Sequence, residues 1–234
     1  MSLLSIKNAC TGYGNKQVLF DVSLDVEEGD SILLVGSNGS GKSTLLKLIY
    51  GLVDTWQGFV EYNGELLHGN AKKTPTHTLL NNGIQYVPQK DELFDDVSVL
   101  ENLQFSLLHL NSKKESTRRI EEVLEEVPLL KERRRQTVGR LSGGERKMLA
   151  LGMVIVNRPK LLLYDEPLAG ISEDNIPETL SMLGRIHDAG TTMIIVEHHI
   201  MEMRQLVSKT YGMRLGHMSN ESLKSLDEVK KIIL

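Results

Sequence analysis

A chain of 234 residues with 40% apolar and 25% charged residues has the balance of an ordinary globular protein, able to bury a core as one domain or one domain with a subdomain. Its net charge of -4 gives no general attraction to nucleic acid, and its single cysteine, Cys10, excludes an intrachain disulfide and a cysteine-built metal site. No run approaches the roughly 18 apolar residues of a membrane span. Met1 to Lys7 lacks the charged-then-apolar layout of a secretory signal, so a cytoplasmic protein without direct membrane insertion is expected.

Residues 3–10 and 18–26 read as strands, the second alternating apolar and polar residues in its latter half as a half-buried antiparallel strand does. Tyr13 is expected in the turn between them, within Thr11-Gly12-Tyr13-Gly14. A ring held there can stack on a base face; an exposed turn tyrosine is the competing reading.

Glu28-Gly29 then turns the chain into the apolar run Ser31 to Val35, which leads into Gly36-Ser37-Asn38-Gly39-Ser40-Gly41-Lys42-Ser43-Thr44 and a helix over 42–50. Strand, glycine loop and helix in that order are the context of a phosphate-binding loop. Glycines let successive backbone N–H groups turn inward around phosphate oxygens, and the helix adds the positive end of its dipole. Lys42 is placed to reach the β- and γ-phosphates and the Ser43 hydroxyl to take a Mg²⁺ coordination position. Gly51 is placed as the C-terminal cap.

A short strand is expected at 58–62. Residues 63–82 are turn-rich and read as surface, with His68 and His77 as solvent histidines. Ile84 to Val87 reads as a buried strand ending at Pro88-Gln89. From Asp91 to Pro159 helical spacing and charge dominate, notably over Leu100–His109 and Thr117–Glu126, as in a helical subdomain inserted into an α/β core. The charged runs Glu121–Glu126 and Lys131–Arg135 read as solvated faces.

Leu161 to Tyr164 suits a buried parallel strand ending in Asp165-Glu166-Pro167. Ligands of open α/β sheets bind at such carboxyl ends, which brings both acids to the phosphate loop. Asp165 is the expected Mg²⁺ ligand, directly or through water, and Glu166 the group that polarises the attacking water. A helix over 174–188, capped by Asp174 and followed by Gly190, precedes the strand Thr191–Val196. That strand delivers Glu197-His198-His199 to the same edge, where a histidine can donate to a γ-phosphate oxygen; neighbouring histidines at a strand end cannot comfortably share one ion, which argues against a transition metal. A strand at 210–215 and a helix at 224–232 read as packing.

The phosphate loop, the acidic strand end and Leu141-Ser142-Gly143-Gly144-Glu145 together resemble the ATP-binding cassette (ABC) ATPase family over essentially the whole chain. The resemblance matches Tyr13 to the tyrosine turn, Gly36 to Thr44 to the phosphate loop, Gln89 to the glutamine loop and its metal position, Leu141 to Glu145 to the signature, Leu161 to Glu166 to the acidic strand end, and His198 to the switch histidine. It implies a P-loop α/β fold with a mainly parallel core sheet, an N-terminal antiparallel β part and an inserted helical subdomain: one domain over 1–234, with core in 1–90 and 160–234 and helices in 91–159. ATP with Mg²⁺ is then bound by Tyr13, Gly36, Ser37, Asn38, Gly39, Ser40, Gly41, Lys42, Ser43 and Thr44 of one subunit, and by Ser142, Gly143, Gly144 and Glu145 of a second. The signature is itself a helix N-terminus suited to an anion. Lys42, Gln89, Asp165, Glu166 and His198 complete a catalytic set.

Three positions depart from the family pattern: Ser172 where the dimer loop commonly has aspartate, Met153 where arginine is common, and Lys147 in place of glutamine. They bear on communication between sites, with ATP binding unaffected. The resemblance implies an ATPase that pairs as a homo- or heterodimer and powers a separate integral membrane permease from the inner face of the membrane, with a docking surface near Leu93 to Val99. The Val87-Pro88-Gln89 region, Leu93-Phe94, Leu100–Leu103 and Met148-Leu149 are similar to importer ATPases of the branched-chain amino-acid type, an outline that also serves exporters and lipid or lipopolysaccharide extraction systems. A soluble ABC ATPase of a cofactor-assembly or regulatory complex is the alternative from another class. A kinase or GTPase has no use for the signature, and the chain lacks an Asn-Lys-x-Asp motif.

Overall fold

The computed structural model describes residues 2–69, 71–90, 93–223 and 225–233. Asn70 in the turn-rich stretch, Asp91 at the expected start of the helical stretch and Lys224 at that of the last helix lie outside the described residues. The chain opens with two strands longer than expected, β1 (Ser2–Tyr13) and β2 (Lys16–Glu27). Tyr13 pairs with Lys16 across the hairpin, so it ends β1 rather than sitting in the turn. A turn of Gly14 and Asn15 suffices because Gly14 takes a positive φ.

Next come β3 (Ser31–Val35) and α1 (Lys42–Ile49), followed by β4 (Gln57–Tyr62), β5 (Glu65–Gly69), β6 (Lys72–Lys73), α2 (Thr76–Asn81) and β7 (Ile84–Val87). The turn-rich stretch is thus two strands and a helix, which its frequent turn residues conceal. His68 is 2% exposed, not a solvent histidine: Nε2 faces Ile49 O at 3.1 Å and Nδ1 accepts the Thr74 N–H at 3.4 Å. It satisfies one of the carbonyls that α1 leaves open at its C-terminus. Gly51 lies directly beneath the ring, with positive φ, where a Cβ would come within 2.8 Å of it. His77 is exposed.

The helical stretch comprises α3 (Val99–Ser106), α4 (Lys113–Glu126), α5 (Pro128–Arg133) and α6 (Gly143–Asn157). Ser98 and Ser142 form capping boxes with Glu101 and Glu145 and set the starts of α3 and α6. Acids of the charged run are paired, Glu122 with Arg118 and Arg158 and Glu126 with Arg185. After β8 (Leu161–Asp165), Asp174 lies in a short 3-10 turn, Glu173–Asn175, and caps nothing. Helix α7 (Ile176–Asp188) starts two residues later than expected, where Pro177 fits the first turn. The chain closes with β9 (Thr192–Val196), α8 (Ile200–Met203), β10 (Lys209–Arg214), β11 (His217–Met218) and α9 (Leu226–Ile233).

Two sheets result. The antiparallel sheet has the order β2-β1-β4-β5-β6; the other has the order β11-β10-β3-β9-β8-β7, parallel except for β11. Strands β3, β8 and β9 are buried on both faces, so successive residues feed different cores. Ile32, Leu34, Leu161, Leu163, Ile194 and Val196 pack with α1 and the antiparallel sheet. Leu33, Val35, Leu162, Tyr164, Met193 and Ile195 pack with the helical stretch and α7. Among the described residues no helix is long and apolar enough to cross a membrane.

Candidate nucleotide site

The order β3-β9-β8-β7 places four parallel carboxyl ends side by side. The phosphate loop leaves the first, His198 follows the second, Glu166 the third and Gln89 the fourth. The loop packs too tightly for side chains at two of its glycines. A Cβ at Gly36 would lie 2.2 Å from Met213 O, and one at Gly41, whose φ is 106°, 2.6 Å from a Leu19 methyl. Gly41 is also the residue from which α1 starts, and α1 has no acidic residue in its first turn to occupy the positive end of the dipole.

Lys42 is buried, and its Nζ donates to Gly36 O at 2.8 Å and Ser37 O at 3.0 Å. Those bonds hold the ammonium across the loop and use two of its three N–H donors. Burial lowers its pKa, while Glu166 and Asp165 act in the opposite direction. Ser43 Oγ donates to Asp165 Oδ1 at 3.0 Å. Burial raises the Asp165 pKa, and Glu166 adds to the rise; the Ser43 hydrogen bond, Lys47 and Lys42 oppose it. Ser40 Oγ is buried with no hydrogen-bond partner among the described residues, an orphan that an anion in the loop would satisfy.

Glu166 is the centre of the acidic group. Gln89 Nε2 donates to its Oε2 at 2.5 Å, and His198 Nε2 lies 3.3 Å from its Oε1. Its φ of 52° is uncommon for a residue with a side chain, and its backbone N–H is tied to Val196 O at 2.8 Å. The open cavity, about 910 Å³, is lined by Lys42, Ser43, Gln89, Glu166 and His198 on its polar side. Tyr13, half exposed, lines it as well, and its hydroxyl lies 3.5 Å from Thr44 Oγ1.

The signature residues Ser142 to Glu145 do not line this cavity. They stand at the start of α6, where Gly143 and Gly144 approach Gly170 and Asn175. Both carboxylate oxygens of Glu145 are engaged, one by the Ser142 N–H at 2.8 Å and the other by Arg133 Nε at 3.1 Å. The Ser142 N–H is the leading reason that its pKa is lowered. Lys147 is buried with its ammonium over the Tyr164 ring, 5.5 Å from the centroid.

Glu197, expected at the strand edge, was given no role by its sequence context. It is 2% exposed; one carboxylate oxygen accepts the Leu168 N–H, and the other the His198 and His199 N–H groups. The available signal was an acid immediately after the apolar run Met193 to Val196. Val18, Phe20 and Leu215, which line the cavity rim, were also missed. They have no motif, and only packing of the two hairpins brings them there.

A glycine loop between a buried parallel strand and a helix, with an acidic strand end beside it, defines a P-loop nucleoside-triphosphate-binding α/β protein. The chain belongs to the ABC transporter family, whose sequence model matches residues 19–169. It is 35% identical to the high-affinity branched-chain amino acid transport ATP-binding protein BraG of Pseudomonas aeruginosa, over 92% of this chain and 91% of that protein. Similarity to the lipopolysaccharide export system ATP-binding protein LptB of Escherichia coli is 29% identity over 93% of this chain and 89% of that one. A nucleotide-free ATP-binding cassette from an ABC transporter superposes with a TM-score of 0.82 at 25% identity, covering 99% and 95% of the two chains. The chain is therefore an ABC ATPase cassette of the kind that powers transport.

Proposed function

We propose that two such subunits pair head to tail around ATP and drive a separate membrane permease from the inner face of the membrane. The observation that carries this is the Gln89–Glu166–His198 chain of contacts beside Lys42 and the phosphate loop. Glu166 accepts a proton from the water that attacks the γ-phosphate. Gln89 and His198 hold its two oxygens in place, and Lys42 offsets phosphate charge with its remaining donor. The Ser43 hydroxyl, the Asp165 carboxylate and the Gln89 amide oxygen form an all-oxygen donor set that fits Mg²⁺, which supplies charge neutralisation when bound. Ser142, Gly143 and Gly144 lie outside their own subunit's cavity at the N-terminal start of α6, which suits them to a partner's γ-phosphate. Glu145 shapes that helix start through its capping bonds.

The helical stretch from 93 to 159 presents the permease-facing surface. Phe94, 57% exposed, meets Phe105 edge to face at 5.3 Å between ring centroids. Buried Asn102 fixes this apolar pair: its amide accepts the Phe94 N–H at 2.9 Å and donates to Phe94 O and Ser98 O, each at 3.0 Å. Similarity to BraG supports branched-chain amino acids as the cargo class. Nothing favours the cofactor-assembly alternative. Affinity purification of tagged protein from mild detergent extracts is expected to bring down a polytopic membrane protein in stoichiometric amount, and Phe94→Asp to lose it. Recovery of soluble partners only, with none of the protein in the membrane fraction, would overturn the reading.

A further inference from the structure

The turn between β10 and β11 breaks a local rule. Arg214 and His217 pair across it, leaving Leu215 and Gly216 as its two residues, both with positive φ of 48° and 82°. This is the backbone of a type I′ turn, whose first position favours Asn, Asp or Gly. A leucine there is strained. It is also 76% exposed, so burial within the chain does not offset the strain.

Leu215 instead lines the nucleotide cavity, together with Tyr13, Val18 and Phe20. The turn is pinned at that rim. The Gly216 N–H donates to Ser40 O of the phosphate loop at 2.9 Å, and the Phe20 N–H donates to Gly216 O at 3.0 Å. His217 stacks on Phe20 with ring centroids 5.2 Å apart. Tyr13, Val18, Phe20 and Leu215, with Lys16 and Gln17 between the first two, therefore give a mainly apolar rim beside a polar phosphate loop, in the arrangement that a nucleoside triphosphate presents: a flat, weakly polar end and a charged one.

We propose that Leu215 is a nucleoside-contact residue, packing against the base or ribose of ATP held by the phosphate loop. The inference rests on reading this cavity as the ATP site. An aliphatic side chain carries no hydrogen-bonding group, so it adds affinity without choosing among bases. The test is Leu215→Asn, which installs a residue that the turn favours. The ligand-free variant should melt about 2–4 °C higher than wild type. Calorimetric titration without turnover should show ATP binding weakened about 3- to 10-fold and inorganic tripolyphosphate binding unchanged. Equal ATP affinity in the two proteins would overturn the inference, and so would equal weakening for ATP and tripolyphosphate, which would place the effect in the phosphate loop. Wild-type protein that binds tripolyphosphate and ATP equally well would also overturn it. Failure of the wild type to bind either would remove the site reading itself, and this inference with it.

Discussion

The carboxylate of Glu197 accepts the backbone N–H of Leu168 at 2.9 Å, tying the loop that follows Glu166 to the strand end that carries His198. Its other oxygen accepts the His198 and His199 N–H groups at 2.6 and 3.2 Å. One buried acid thus holds both sides of the Glu166–His198 contact by backbone alone. Glu197→Gln would replace one acceptor with an N–H donor facing another donor. An unsatisfied buried donor costs about 1–3 kcal/mol, so the melting temperature should fall by roughly 3–10 °C. Glu197 does not line the cavity, so kcat should fall while KM for ATP changes little. Steady-state kinetics beside thermal melts check this; unchanged kcat would mean that the loops are held by other contacts.

Glu166→Gln keeps the shape of the side chain and removes its basicity. ATP hydrolysis should fall at least ~100-fold, the usual scale of general-base catalysis, with ATP binding retained. Light scattering in excess ATP and Mg²⁺ should then find a dimer. A variant that remains monomeric under those conditions contradicts the head-to-tail sandwich.

Tyr13 stands at the cavity rim with its hydroxyl near Thr44. Tyr13→Ala should weaken ATP binding by about 1–3 kcal/mol, the scale of base stacking on an aromatic ring. Tyr13→Phe, which keeps the ring, should bind nearly as well as wild type. Equal losses in the two variants, read by calorimetry, would assign the effect to the hydroxyl instead.

His68 makes stability depend on pH. Burial lowers its pKa from 6.5; the Ile49 carbonyl raises it, and Lys73 and Lys72 lower it further. The folded protein binds this proton less readily than the unfolded chain. The stabilisation is therefore fully present above about 6.5 and is lost as pH falls through the folded pKa. Thermal melts from pH 8 to pH 5 should show wild type losing more stability than His68→Gln over that range, from a higher starting point. Parallel curves would show that burial of the neutral ring contributes no pH dependence.

Local signals in the chain carried far. The phosphate loop was legible because its glycines, lysine and hydroxyls must be consecutive to wrap one anion. The buried strands β3, β8 and β9 were legible as apolar runs, each ending in chemistry. Stretch 63–82 was not, because β5, β6 and α2 are short and their apolar residues are interrupted by turn-forming ones. His68 looked like a solvent residue for the same reason, since its ring finds its two backbone partners only where α1 and the chain after β6 come against it. Asp174 looked like a helix cap, but Pro177 and a preceding 3-10 turn moved the helix start beyond its reach.

Local order along the chain sets which groups are available: a phosphate loop, paired acids, a glutamine and a histidine at strand ends, and a second glycine-bearing helix start. Tertiary structure decided which of them meet. Gln89, Glu166 and His198 touch only because β7, β8 and β9 are neighbours in that order, an arrangement fixed by crossovers and two separate cores rather than by spacing along the chain. The same packing buried Glu197 between two loops and set Leu215 at the cavity rim. Motifs are short-range because one ligand must be gripped by adjacent atoms, whereas strand order and hairpin docking are long-range and emerge only when the apolar faces of distant segments are buried together.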